Sequence, residues 1–373
     1  MPPFHHPIWS IIALAGIGCE PVLSDETDSP DTDVIDDTDI VDDTDEADSF
    51  SLLTLNLHCF KLDGTSFASN TDRFEAIATA ANEVDALALQ EACKRDGVSA
   101  MERIRLFLEE QTGDTWSGAW TLAHTAWEGT PDEAEEGVAL IVRGDIHDVE
   151  TWTYFAQSSL QRVAVGATLD NGVFLVSTHL EHSDGEVRLA QARQTASWAL
   201  AAKNHLDVVV AGDLNAKPGS DPVNAIEAMG FGDSASSLTA DRIDHVHLHR
   251  GAAWLATEAK ILFDGNDTPL VSDHPGVLVH FDVASAPVVE VTRIIATADV
   301  GFGHFVSVRG DGEPLSWNHG WPAWAAADDE WRLILTEVSG PFAYKTLVDD
   351  VTWQEGDDVS GTSGSDNLVT PTF

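Results

Sequence analysis

Two polar side chains directly follow an apolar run near the middle of the chain. Residues 208–211 are small or branched apolar residues, which predict a buried strand. Gly212 allows a tight turn where that strand ends, and Asp213 and Asn215 project from its tip. The carboxylate can orient or deprotonate a water molecule, and the amide can donate to a phosphate oxygen without adding charge. The same pattern also forms ordinary aspartate-stabilised turns, so phosphoryl chemistry would need further partners.

Polar side chains stand at the ends of several other apolar runs. In chain order they are Asn56, Glu91, Glu136, His179, Asp244, Asp273 and His274. A carboxylate that ends an apolar strand is costly to bury unless it pairs with another group or binds a cation. Each residue alone also fits an ordinary role, as a cap, a surface acid or a hydrogen-bonded histidine. Their recurrence at strand ends predicts that they meet at one site.

Alternating strands and helices must position these side chains. Buried strands are predicted at 51–57, 84–91, 137–142 and 173–180. Helical spacing of apolar residues predicts helices over 71–81 and 188–202.

The ordered set of motifs resembles a known superfamily. The motifs are Asn56, Gln90-Glu91, Thr178-His179-Leu180, Gly212-Asp213-Leu214-Asn215, Arg242-Ile243-Asp244 and Ser272-Asp273-His274. They are similar to those of the endonuclease/exonuclease/phosphatase superfamily, which includes DNase-I-like nucleases, apurinic endonucleases, secreted sphingomyelinases and inositol-phosphate phosphatases. The resemblance spans residues 50–283. It implies a four-layer α/β sandwich, in which helices flank two packed mixed β-sheets and the site lies at one edge.

The resemblance also implies a metal site. Glu91 would hold a divalent cation, because a carboxylate suits a hard ion that keeps several water ligands. The expected ion is Mg²⁺, and Mn²⁺ and Ca²⁺ are the alternatives. Asn56 would support the ligands of that ion, and Asp273 would add to them.

Hydrolysis of a phosphate ester by in-line attack of water is the implied reaction. The resemblance assigns it to Asp213, His274, His179, Asn215, Asp244 and Glu136. Asp244 would orient His274, and either Asp213 or His274 would take the proton of the attacking water. His179 and Asn215 would contact the phosphoryl oxygens, with Glu136 in hydrogen-bond contact with His179.

Charge restricts the substrates that this chain can bind. The formal net charge is −44, from 19 Lys and Arg against 63 Asp and Glu. Because residues 51–283 contain no basic cluster, a small or membrane-derived phosphodiester is favoured over duplex DNA. His245 also departs from the family pattern, which has an aromatic residue after Arg-Ile-Asp. The expected activity is that of a nuclease or a sphingomyelinase-like phospholipase. The alternative is an inactive envelope protein that binds glycan or another partner.

The N-terminal residues predict export. Residues 8–17 are apolar but too few to span a bilayer, which is typical of a signal peptide over 1–19. Residues 16–19, Gly-Ile-Gly-Cys, resemble a lipoprotein cleavage box, so Cys19 is a candidate for lipidation. Residues 20–49 are rich in Asp and Thr and predict a disordered acidic linker. We therefore expect a monomeric envelope lipoprotein or secreted protein without a transmembrane helix.

Two cysteines remain if Cys19 is lipidated. Cys59 lies three residues past Asn56 and Cys93 two residues past Glu91, where the resemblance brings two strand ends together. A disulfide there would brace the metal site in an oxidising compartment, and two buried free thiols are the alternative.

Residues 286–373 predict a small β-sandwich. The composition shifts at 284–287, and strands are predicted at 288–296, 302–309, 330–336 and 342–348. Trp317, Lys345 and Trp353 lie in stretches that resemble starch-binding carbohydrate-binding modules, in which two tryptophans and a lysine bind glucose units. The alternative is a plain accessory sandwich with these tryptophans in its core.

Overall fold

A computed structural model describes residues 49–373, which lie within one compact unit. The predicted signal peptide, Cys19 and nearly all of the acidic linker fall outside the described residues. Up to residue 283 the strands are β1 (Ser49–Asn56), β2 (Ala86–Gln90), β3 (Lys94–Arg95), β4 (Val98–Ser99), β5 (Trp116–Ala126), β6 (Ala134–Arg143), β7 (Ile146–Thr153), β8 (Val163–Leu169), β9 (Phe174–His179), β10 (Val208–Asp213), β11 (Phe231–Asp233), β12 (Asp244–His249), β13 (Trp254–Leu262) and β14 (Gly276–Val283). The helices are α1 (Asn70–Ala80), α2 (Ala100–Thr112), α3 (Gly185–Lys203) and α4 (Asp221–Ala228).

These strands form two mixed sheets. Sheet I has the order β13-β14-β1-β2-β6-β3-β4, with β5 paired to β6, and sheet II has the order β11-β12-β10-β9-β8-β7. The pairs β1–β2 and β9–β10 are parallel, and the neighbouring pairs β1–β14 and β10–β12 are antiparallel.

Side chains alternate between the two faces of the central strands, and this alternation explains the layers of sheets and helices. In β1, Leu52 packs in the core between the two sheets, whereas Leu53 packs against α1 and α2. In β10, Val209 packs between the sheets and Val210 packs against α3 and α4. Successive side chains of a strand point to opposite faces, so a continuous apolar run is buried on both faces. The predicted four-layer α/β sandwich is confirmed. Within residues 49–373, no helix combines the length and the apolar character needed to cross a bilayer.

A C-terminal module of residues 286–373 adds two small sheets. Its strands are β15 (Thr292–Thr297), β16 (Val306–Gly310), β17 (Trp321–Pro322), β18 (Trp324–Ala327), β19 (Glu330–Leu335), β20 (Pro341–Val348), β21 (Thr352–Trp353), β22 (Val359–Thr362) and β23 (Asp366–Val369). The sheet orders are β18-β19-β15-β23 and β17-β16-β20-β21, with β22 on β20. The first two strands begin four residues later than predicted, because Val288 and Phe302 are fully exposed.

The module shares a hydrophobic core with α3. Trp198 of α3 packs edge-on against Trp324, with ring centroids 5.1 Å apart, and its indole N–H donates to the Ala323 carbonyl at 3.0 Å. The neighbouring Ser197 hydroxyl donates to the Pro322 carbonyl at 2.7 Å. Residues of the module and of the α3 side of sheet II belong to one continuous buried cluster. The module is therefore packed onto the sandwich, a contact that the sequence did not predict.

Candidate active site

The predicted residues converge at one edge of the two sheets. Asp213 pairs in register with His179 on one side and with Asp244 on the other. Asn56 pairs with Gln90, directly before Glu91. A cavity of about 380 Å³ opens at this edge. The predicted residues that line it are Glu91, Glu136, His179, Asp213, Asn215 and His274.

Asp213 lies at the centre of the site and is almost fully buried. Its Oδ2 lies 3.2 Å from Asn56 Nδ2, 3.6 Å from His179 Nε2 and 3.8 Å from His274 Nδ1. Burial, reinforced by repulsion from Asp244, raises the pKa of Asp213 to about 7. The carboxyl group can therefore exchange a proton near neutral pH.

Gly212 lets the Asp213 strand approach its neighbour. Its φ is +146°, and a Cβ built on it would lie 2.0 Å from the Thr178 carbonyl oxygen. Only glycine avoids both the strained backbone angle and this clash. The turn predicted at the end of the strand is thus required by close backbone packing.

His274 and Asp244 form the predicted pair, with Nδ1 and Oδ2 2.9 Å apart. Burial alone would lower the pKa of His274, but the hydrogen bond to Asp244 and the nearby carboxylates Asp213 and Asp273 raise it to about 9. The imidazole is therefore protonated at neutral pH. A protonated His274 can stabilise negative charge or donate a proton, whereas it cannot accept one.

The predicted pair of Glu136 and His179 stands at ion-pair distance and not in a direct hydrogen bond. Glu136 Oε1 lies 4.0 Å from His179 Nδ1, and Arg162 is placed against both groups. Arg162 Nη1 donates to His179 Nδ1 at 3.1 Å and lies 3.5 Å from Glu136 Oε1. An arginine can only donate, so His179 must carry its proton on Nε2, which faces Asp213.

The Glu91 end of the cavity is braced by Asn56. Asn56 Nδ2 donates to Glu91 Oε1 at 3.0 Å, and its Oδ1 accepts from the His58 N–H at 2.9 Å. Asp273 does not line the cavity, and its Oδ2 pairs with His58 Nδ1 at 3.1 Å. The metal role of Asp273 stays a prediction.

The predicted disulfide joins Cys59 to Cys93, with their Cα atoms 5.0 Å apart. Both sulfurs belong to fully buried residues of the core between sheet I and its helices. The bond links the segment after Asn56 to the segment after Glu91. It therefore braces this end of the site covalently.

The donor chemistry fits a divalent cation. Glu91, Glu136 and Asp213 bring three carboxyl groups to the cavity. Burial and repulsion from Glu91 raise the pKa of Glu136 to about 7, and a bound cation would favour its charged form. Oxygen ligands of this kind are those that Mg²⁺ prefers. Asp213, Asp244 and His274 also offer atoms within 4.8 Å of one another. His274 and Asp244 already bond each other. The residues better suited to hold the ion would therefore be Glu91 and the other carboxylates that line the cavity, Glu136 and Asp213.

The remaining predicted residues hold the edge together. Asn215 donates from Nδ2 to the Leu180 carbonyl at 3.0 Å and adopts a positive φ of 49°. His245 is fully buried and contacts the Ala216 carbonyl at 2.8 Å through Nε2. It lies outside the cavity, and burial lowers its pKa to about 4.

Sequence reasoning missed part of the cavity wall. The missed residues are His124, Thr125, Ala126, Trp127, Leu160, Arg162 and His182. Arg162 alone gave a signal, as a rare cation directly before the apolar run that becomes β8. In a chain this acidic, a basic residue at a strand start indicates a specific partner.

The structure places the predicted glycan residues together. The rings of Trp317 and Trp353 lie 6.3 Å apart at an interplanar angle of 27°, and Trp353 is 41% exposed. Trp317 is half-buried. Neither is a core residue, so these tryptophans do not lie in the core of the sandwich, and the sugar-binding role stays a prediction. The ammonium of Lys345 donates to the carbonyls of Gln354, directly after Trp353, and of Gly356.

Comparisons with known proteins agree with this geometry. The profile of the Endonuclease/Exonuclease/phosphatase family matches residues 53–274. A search of curated proteins for relatives found no match. An endonuclease/exonuclease/phosphatase from Beutenbergia cavernae DSM 12333 has a similar structure at 16% identity, with 84% of this chain and 99% of that chain covered and a TM-score of 0.50.

Two further solved structures show similarity to this chain. A family protein from Leptotrichia buccalis C-1013-b is 18% identical over 62% of this chain and 99% of that chain, with a TM-score of 0.49. A mannosyl-6-phosphatase from Bacteroides thetaiotaomicron VPI-5482 is 15% identical over 62% and 99%, with a TM-score of 0.48. The family profile covers more than half of the chain and its motifs meet at one cavity. The chain therefore belongs to the endonuclease/exonuclease/phosphatase family.

Proposed function

We propose that this protein is a divalent-metal-dependent phosphodiesterase. The observation that carries the proposal is the convergence of Asp213, His179, Glu91 and the His274–Asp244 pair on one cavity. These groups combine a buried acid, a protonated imidazole and free carboxylate oxygens within a few ångströms. That combination supports attack of water on a phosphate ester.

Each side chain has a separate role in the reaction. The cation, when bound, would neutralise charge on a phosphoryl oxygen. Asp213 takes the proton of the attacking water, because His274 already holds its proton. The water oxygen forms a bond to phosphorus while the P–O bond to the leaving alcohol breaks in line. The proton on His179 Nε2 and the charge on His274 stabilise the oxygens that gain negative charge.

Ion pairs of basic side chains outside the cavity wall support a small rather than a polyanionic substrate. Lys61 and Arg95 both pair with Asp132, and Lys217 pairs with Asp241. Basic groups that bind nucleic acid must be available to its phosphates. Because acids occupy these three, we propose a small or membrane-derived phosphodiester, with sphingomyelinase-like activity favoured over nuclease activity.

A substrate screen tests the proposal. The purified full-length chain would be stripped with EDTA and assayed with Mg²⁺, Mn²⁺ or Ca²⁺ on plasmid DNA, RNA, sphingomyelin vesicles, inositol phosphates and bis-p-nitrophenyl phosphate. We expect cation-dependent hydrolysis of at least one small or lipid phosphodiester, and slower cleavage of plasmid DNA. No hydrolysis with any cation would favour the inactive envelope protein.

Export is a further part of the proposal. Disulfides persist in oxidising compartments, so the bond between Cys59 and Cys93 supports a location outside the cytoplasm. Together with the signal-like N-terminus, it favours a secreted protein or an envelope lipoprotein lipidated at Cys19. Labelling with a radioactive fatty acid, with Cys19→Ser as the control, distinguishes the two.

We propose glycan binding as a second function, carried by the half-buried Trp317 and the exposed Trp353. Sugars stack on accessible indole faces, and the two ring centroids lie 6.3 Å apart with the ring planes at 27°. Arg309 lies 5.2 Å from the Trp353 ring and donates to the Trp317 carbonyl, which holds the pair in place.

Retention on polysaccharide tests this second function. The full chain should bind insoluble starch or envelope glycan, and the double variant Trp317→Ala, Trp353→Ala should bind at least about tenfold more weakly, since buried tryptophan contacts often contribute more than about 1.4 kcal/mol. Trp127→Ala, which removes another exposed indole, is the control. Equal retention of the parent and the double variant would exclude this surface.

A further inference from the structure

Arg73 is a buried arginine whose hydrogen bonds within residues 49–373 all go to main-chain carbonyls. It lies in the first turn of α1, and its side chain is fully buried. Nη1 donates to the Leu57 carbonyl at 3.1 Å, the Lys61 carbonyl at 2.9 Å and the Val271 carbonyl at 3.3 Å. Nη2 donates to the Cys59 carbonyl at 2.6 Å.

Arg73 forms no ion pair at 4.0 Å or less among residues 49–373. The nearby carboxylate of Asp273 acts on its charge only from a greater distance. Burial lowers the pKa of Arg73 to about 10, so the guanidinium is still charged at neutral pH. A buried charge without a carboxylate is costly, and here four carbonyl dipoles compensate for it. This compensation depends on the segments that supply those four carbonyls.

The two segments carry opposite ends of the candidate site. Residues 57–61 directly follow Asn56, which holds Glu91, and they include the positive-φ residues His58 and Cys59. Val271 lies three residues before His274. The segments are distant in sequence, yet one guanidinium binds both. His58 adds a contact between them, because its Nδ1 lies 3.1 Å from Asp273 Oδ2.

We propose that Arg73 is a positioning residue for the reaction, fixing the distance between the Glu91–Asn56 metal end and His274. The inference rests on the proposed function. Arg73 touches neither the cavity nor any reacting atom, and it acts through the two loops. A lysine keeps the charge but not the planar fork of donors, so it cannot bind all four carbonyls in their present places.

The test compares Arg73→Lys and Arg73→Met with the matched variant Arg105→Lys. Arg105 is a half-buried arginine on α2, in the same helical layer, and binds Glu102 and the Trp116 carbonyl away from the cavity. The measurements on the full chain are Mg²⁺ affinity by titration calorimetry, kcat and KM, thermal midpoint, and hydrogen exchange of residues 57–61 and 271–274.

For Arg73→Lys we expect Mg²⁺ to bind about tenfold more weakly, since groups that orient metal ligands contribute roughly 10–100-fold to affinity. We expect kcat to fall at least about tenfold with KM changed little, because misplacement of reacting groups by about 1 Å costs rate rather than binding. Exchange should rise together in both segments. Arg105→Lys should change none of these quantities.

Each contrary result has a distinct meaning. Parental Mg²⁺ affinity, kcat and exchange in Arg73→Lys would overturn the inference, and so would equal losses in Arg105→Lys. A failure of Arg73→Lys to fold would assign Arg73 to general stability and also overturn it. If the parent neither binds Mg²⁺ nor hydrolyses a phosphoester, the proposed function fails, while the exchange of the two segments still decides whether Arg73 joins them.

Discussion

Replacing either Asp213 or His274 by asparagine is expected to lower kcat by roughly 10²–10⁴-fold, the usual contribution of a positioned acid or base. Asparagine keeps the approximate shape of Asp213 but removes the charge that can accept a proton, and in place of His274 it removes the protonated ring that faces the cavity. The two side chains lie 3.8 Å apart and serve one step, so the double variant should lose less than the product of the single losses.

Matched variants separate this effect from general damage. Asp241→Asn removes an exposed acid that pairs with Lys217 and does not line the cavity. His147→Asn breaks an exposed pair with Asp170 that has the same 2.9 Å separation as the pair of His274 with Asp244. Both controls should keep the parental kcat, and parental turnover by the Asp213 and His274 variants would refute their roles.

The pH dependence of kcat is a second test of the role of His274. Because the pKa of His274 is raised to about 9, its proton is present below that pH and is lost as the pH rises through it. The kcat of the parent should therefore fall above about pH 9. In the His274→Asn variant this alkaline decline should be absent, and its persistence would assign the decline to another group.

Trp198→Ala is expected to destabilise the protein by about 3–5 kcal/mol, the usual cost of deleting a large buried aromatic side chain. Trp198 is only 6% exposed and contacts both Trp152 of sheet II and Trp324 of the module. Its loss would open a cavity where α3, the sheet and the module meet. Deletion of residues 286–373 should have a larger effect, because it exposes the whole apolar face of α3 to water.

Chemical denaturation and soluble yield measure this second prediction. Trp353→Ala is the control, since it deletes an exposed tryptophan of the same module and should cost far less. A truncated chain that stays soluble with parental stability would show that the sandwich does not need the module. In that case the contacts in the shared core would add nothing measurable to the free energy of unfolding of the sandwich.

Much of the fold and the site could be predicted because local patterns encode them. Strands buried on both faces need continuous apolar runs, and a polar residue that ends such a run is conspicuous. Asp213, His179 and Glu91 were recognisable for this reason, and the ladder registers of β1, β2, β9 and β10 bring them to one edge. The disulfide followed from the same convergence.

Partners that come from distant segments could not be predicted. Arg162 inserts between Glu136 and His179 only because sheet II places the start of β8 beside the end of β9. Arg73 occupies the apolar side of α1, where the sequence shows a cation without showing the carbonyls that surround it. The docking of Trp198 on Trp324 depends on two apolar surfaces whose complementarity is not a periodic pattern.

The disulfide between Cys59 and Cys93 shows that two loops of the candidate site have been in contact. The two sulfurs can meet only when the loop after Asn56 lies against the loop after Glu91. A molecule that carries the bond has brought those loops together at least once, whereas a molecule with both thiols free carries no covalent record of that contact. Counting the thiols of Cys59 and Cys93 in a preparation therefore gives the fraction of molecules in which the two loops are covalently joined, before any substrate is known and without any assay of turnover.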